Sequence, residues 1–106
     1  MDNETLLVLQ NHLIYDYLIL KNIKNDKYTT MRKLKNELIV SLGFIHSRIE
    51  LLLKQNIIIC TDLSNGSRKK KYQYIITELG YAYKVELMQK IKEFMLIELE
   101  YMKNLI

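Results

Sequence analysis

The chain has 106 residues, nearly half of them apolar, with three glycines and no proline, which excludes a disordered or linker-rich polypeptide and leaves room for one core but not two. Its formal charge of +4 allows an anionic partner, and the excess is central: residues 24–48 hold six cations against two carboxylates, and residues 62–76 hold four against one. The lone Cys60 excludes an internal disulfide and favours a reducing compartment; its expected role is that of a small apolar residue in a strand.

The start, Met1-Asp2-Asn3-Glu4, lacks a cationic leader, and no helix-length stretch is free of polar groups, so a cytoplasmic protein with no membrane partner is expected. A single domain over 1–106 is expected, beginning with a helix over 4–24. Leu6, Leu9, Leu13, Tyr17 and Leu20 recur there at helical spacing, and further apolar residues widen the face enough to be covered by other protein. His12 and Asp16 stand four apart, a spacing that allows a hydrogen-bonded pair, but two residues do not make a metal site and an ordinary surface or interface role is expected.

"KNDKYTT" predicts a polar turn and a short extended piece, with Thr30 capping the next helix. In "MRKLKNELI", Leu34 and Leu38 share a face while Arg32, Lys33 and Lys35 lie outside it, and the helix is expected to end near Ile39. Ser41 then caps a helix over 42–54. A sharp corner at Val40 to Leu42 brings Leu34, Leu38, Val40, Ile45, Ile49, Leu52 and Ile57 to one core, so residues 30–55 read as a helix-turn-helix. Asn56 suits a left-handed cap. A hairpin over 57–77 follows. "IIICT" is the first strand, "DLSNGS" the turn and "KKKYQYIIT" the return, with Tyr72, Tyr74 and Ile76 on one side and Lys71, Gln73 and Ile75 on the other. Both tyrosines are expected on the inner face; stacking on single-stranded bases is the alternative.

Thr77 can cap the last helix, over 78–106, with Gly80 tolerated where packing is close. Met88, Ile91, Met95, Leu99, Met102 and Ile106 trace one stripe, and Leu87, Phe94, Tyr101 and Leu105 widen it. One small domain does not readily cover both, so a homodimer is expected, with Leu6, Leu9 and Leu13 contributing; packing on the first helix alone is the alternative.

The stretch "TTMRKLKNELIVSLGFIHSRIELLLKQNIIICTD", followed by "SRKKKYQYIITELGY", resembles the winged helix-turn-helix DNA-binding superfamily, in general plan the small MarR-like, ArsR-like or PadR-like regulators. "ITELG" is similar to their usual exit from the wing, with Ile76 for leucine, and Asn56 stands where glycine is frequent. The resemblance implies a mainly α fold with a small β-hairpin wing (α+β) and a long C-terminal dimerisation helix.

On that fold the helix beginning at Ser41 would enter a major groove. Leu42, Gly43, Phe44, His46, Ser47 and Glu50 are then the base-reading candidates, though Phe44 has a packing alternative. Tyr28, Thr29, Arg32, Lys33, Lys35, Ser41 and Arg48 are candidates for phosphate, as are the wing cations Arg68, Lys69, Lys70 and Lys71. The expected partner is double-stranded DNA, bound by a homodimer at half-sites about 34 Å apart, in transcriptional repression or regulation. A plasmid or phage partition adaptor and a protein-interaction module are the alternatives. The sequence carries no metal-ligand cluster, phosphate-cradling glycine loop or nucleophile-base set, so neither an enzyme nor a cofactor is expected.

Overall fold

A computed structural model describes residues 3–25, 27–66, 68 and 71–105, with side chains described from residue 10 onward. Among these the chain runs α1 (Asn3–Asn22), α2 (Met31–Leu38), α3 (Leu42–Lys54), β1 (Ile58–Asp62), β2 (Tyr72–Ile76) and α4 (Glu78–Leu105). This is a mainly helical fold with a two-stranded antiparallel wing and a long last helix, in the order expected.

Local chemistry places the boundaries. Thr30 accepts a hydrogen bond from the Lys33 amide at 3.0 Å and Ser41 from the Phe44 amide at 3.1 Å, so each supplies a partner to an otherwise orphan N–H of the first turn. Between these helices Ile39 adopts a left-handed conformation, φ 55° and ψ 55°, and stands 89 % exposed. A β-branched residue there costs about 1–2 kcal/mol, and the reversal it makes swings Val40 back against the core. Asn56, at φ 59°, ends α3 and lets the Ile57 amide reach back to the Leu52 carbonyl at 3.0 Å.

The hairpin pairs Ile58 with Ile76 and Asp62 with Tyr72 at its two ends. Its second strand is central rather than marginal, because the segment between α1 and α2 lies along its other edge. The Thr29 amide donates to the Tyr72 carbonyl at 2.7 Å, and Asn25 accepts from the Ile76 amide through Oδ1 at 3.1 Å. Asn25 also donates to the Tyr81 hydroxyl at 3.0 Å, and its carbonyl accepts from Gln73. These bonds explain why α1 stops at Asn22 rather than at residue 24: the chain must leave the helix to pair with β2.

Ile19 and Leu20 of α1, Ile23 just beyond it, Leu34 of α2, Ile45, Ile49 and Leu52 of α3, and Ile57, Ile58, Tyr74, Ile76 and Leu87 form the core, with Leu38 and Val40 packed at its rim. Each fully buried side chain contributes about 1.5–3 kcal/mol relative to exposure. Tyr74 lies inside, as the strand alternation requires, and burial raises its phenol to about 12. The Thr77 hydroxyl accepts from the Gly80 amide at 2.9 Å and donates to the Asn56 carbonyl at 2.6 Å, tying the start of α4 to the end of α3. At Gly80 a β-carbon would collide with the Ile57 carbonyl and the Ile76 side chain, so only glycine permits this approach.

Leu87 corrects an expectation: it is fully buried inside this chain, not available to a second copy. Leu13 likewise packs against the core, while the Leu6 and Leu9 side chains lie outside the described residues, as does Ile106. Beyond Leu87, Ile91 and Phe94 are half-buried, and Met88, Met95, Leu99, Met102 and Leu105 are exposed. At 28 residues α4 is about 42 Å long and helps stretch the molecule to 59 Å against 28 and 23 Å across. No helix of the described residues is long and apolar enough to cross a membrane.

Candidate nucleic-acid interface

The register of α3 follows from its sequence. Ile45, Ile49 and Leu52 recur at helical spacing and are fully enclosed, so the opposite side of the helix faces outward. Leu42, Gly43, His46, Ser47 and Glu50 are all exposed, and nothing lies within 4 Å of the site a β-carbon would occupy at Gly43. His46 Nδ1 and Glu50 stand 3.9 Å apart, one turn along this face. The outward face offers a ring nitrogen, a hydroxyl, a carboxylate and one leucine, without arginine.

Phe44 sits at the edge of that face and packs on α1, its ring 5.3 Å from Tyr15 edge-on and 5.7 Å from His12. An open, largely apolar cleft of about 350 Å³ lined by Asn11, His12, Tyr15, Val40, Ser41 and Phe44 lies beside it. His12 is therefore engaged with Phe44, and Asp16, which the spacing allowed to pair with it, has a longer-range partner instead.

Asp16 is 1 % exposed and receives a two-pronged bond from Arg48, Nε at 2.8 Å and Nη2 at 2.6 Å. Arg48, itself 16 % exposed, is thus turned into the protein, which corrects its expected place as a flanking phosphate contact. The hydrogen bond to Asp16 raises the guanidinium pKa further above its ordinary value, against the opposing effect of burial. The physical cause is simple: a carboxylate on the buried side of α1 must find a cation, and α3 passes close by. Asp16, on an otherwise apolar helical face, was the only local signal.

Around α2 the expected cations are distributed unevenly. Arg32 and Lys33 are exposed and Lys35 is half-buried. Thr29 is buried with its amide committed to Tyr72, so its expected role as a donor at the edge is corrected to that of a short bridge to the sheet. Tyr28 is half-exposed, and Lys71 Nζ lies 5.4 Å from its ring centroid, joining the start of α2 to the base of the wing. Lys24 and Lys27, not among the expected contacts, line clefts with Tyr28, Thr29 and Lys33, although Glu37 borders the same surface.

In the wing Arg68 and Lys71 are exposed, and Asn65 and Gly66 adopt positive φ in the turn. Lys69 and Lys70 fall outside the described residues. Cys60 is exposed on β1, its thiol pushed up by partial burial and by the charge of Asp62. Among the described residues no three His, Cys, Asp or Glu side chains are grouped to hold a metal ion. Compared with protein-family models and with curated proteins, the chain matches none.

Proposed function

We propose that this chain is a sequence-specific double-stranded DNA-binding regulator that works as a homodimer, related in plan to the small MarR-like, ArsR-like or PadR-like proteins. The observation that carries the reading is the two-sidedness of α3: one side is anchored by Ile45, Ile49 and Leu52, and the other, with His46, Ser47 and Glu50, is open to solvent. A helix so held fits a B-DNA major groove, where these groups meet base edges and Leu42 meets a thymine methyl. Arg32, Lys33, Arg68 and Lys71 supply exposed cations for phosphate, with Lys69 and Lys70 adjoining them in sequence. The exposed apolar length of α4 supports pairing of two copies, which would present two such helices to successive half-sites. On this reading the protein is a binding protein, not an enzyme.

Selection of genome fragments with purified protein, followed by footprinting and a mass measurement, tests the proposal. A short palindrome bound by a dimer is expected. Tandem repeats with cooperative spreading would favour a partition role, and a monomer that ignores duplex DNA while retaining a protein partner would favour an interaction module. Changing His46 and Ser47 to alanine should relax sequence choice, whereas neutralising Lys69, Lys70 and Lys71 should weaken all duplexes alike and flatten the salt dependence.

A further inference from the structure

We infer that Asp16 and Arg48 are positioning residues for the recognition face: their ion pair fixes the rotation and register of α3 against α1, and so decides which side chains of α3 point outward. The inference rests on the DNA-binding reading for its functional consequence, but the positioning itself is a property of the fold.

Two contacts, each one helical turn apart, join these helices. On α3, Phe44 and Arg48 are four residues apart; on α1, so are His12 and Asp16. Phe44 meets His12 and Tyr15, and Arg48 meets Asp16. Neighbours at this spacing lie on one helix face, so α1 and α3 are fastened at two points along a shared line. The two fastenings differ in kind. Apolar packing by Phe44, Ile45 and Ile49 tolerates small slides and rotations, because a displaced aliphatic or aromatic group finds another apolar surface. A two-pronged bond between a guanidinium and an enclosed carboxylate does not, since both prongs demand one geometry and a displaced Asp16 would be left charged and dry. Tyr83 of α4 extends the network: its phenol is raised by burial first and by the charge of Asp16 next, with Arg48 opposing. The pair thus joins α1 to α3 on the inner side of α3, behind the face that carries His46, Ser47 and Glu50. Successive residues of a helix are about 100° apart, so even a fraction of that rotation would exchange members of the outward set.

The test uses three variants of the full chain. D16L/R48M replaces the pair by apolar groups of similar volume and is expected to keep the stability of the wild type. Its Phe44 ring signals should then lose their single sharp contact with Tyr15 in NMR spectra. The preference for the selected duplex over random duplex should fall roughly tenfold or more, with binding to random duplex unchanged. D16N keeps Arg48 in place of methionine and should move the same two measurements in the same direction. An intact Phe44 contact together with wild-type preference in D16L/R48M would overturn the inference, leaving the pair a purely structural one. A salt slope reduced by about one in D16L/R48M would overturn it also, by showing that Arg48 itself touches phosphate. If D16L/R48M does not fold, R48K, which keeps the charge but not the fork, decides by the same measurements: a loosened contact supports the inference and an unchanged one overturns it. If the wild type selects no duplex, the DNA reading fails, and the ring contact alone decides whether the pair sets the register.

Discussion

Ile49 on α3 and Leu99 on α4 are both aliphatic residues in the middle of a helix, yet the first is wholly enclosed and the second is more than half exposed. Ile49 belongs to a core that also draws on α1, α2 and the hairpin, and the polar groups around that core are matched: Asp16 by Arg48, Asn25 by the edge of β2, Thr77 by Gly80 and Asn56. Leu99, among the described residues, borders an open apolar groove of about 330 Å³ shared with Gln10 and Ile14 of α1. Among the described residues, one end of the molecule is closed by its own chain, whereas the other leaves apolar surface exposed along α4. On the proposed function the two ends would have separate tasks, the closed half holding α3 in place for a duplex and the open half bringing two copies together.

The comparison breaks most sharply if the closed half is opened at its charged centre. Arg48→Met should cost about 3–5 kcal/mol in urea unfolding, because Asp16 is left enclosed without its cation. Gly80→Ala should cost about 1–3 kcal/mol by forcing α4 away from the Ile57 carbonyl. Gly43→Ala serves as its contrast: with open space around it, alanine should stabilise the helix by up to about 1 kcal/mol. An effect confined to high pH comes from Tyr74. An unfolded tyrosine releases its proton near 10 and the buried one holds it to about 12, so stability is full below pH 10 and drains as pH rises through that window. The wild type should lose about 1.4 kcal/mol per pH unit there relative to Y74F, read from paired unfolding curves. Least of all should charges on the open half disturb the fold. Leu99→Glu with Met102→Glu should change monomer stability by less than about 0.5 kcal/mol while abolishing the concentration dependence of the sedimentation coefficient.

How far the sequence discloses this arrangement depends on the range of the interaction. Thr30, Ser41, Asn56 and Thr77 act on amides or carbonyls a few residues off or on their own backbone angle, and each takes the place its type suggests. The division of α3 into an inner and an outer side is similarly local, since helical spacing alone assigns Ile45, Ile49 and Leu52 to the core. Arg48 is different. Its partner lies 32 residues away, and one cation among several on a basic stretch carries no local mark of being the one turned inward. Thr29 and Asn25 also resist a local reading, because their amide and side-chain bonds depend on where β2 comes to lie. Leu87 belongs to the same class: it repeats with the exposed residues of α4, and only the point at which the helix leaves the core separates it from them. Ile39 runs against its own preference, adopting an angle glycine takes readily because the corner into α3 requires it.

The account stands or falls on which surface meets a duplex. Amide shift mapping during titration with a selected duplex measures this directly. The account predicts the largest changes at Leu42, Gly43, His46, Ser47 and Glu50, secondary ones at Arg32, Lys33, Arg68 and Lys71, and none along the exposed length of α4. Changes concentrated at Met95, Leu99 and Met102, with α3 silent, would contradict it.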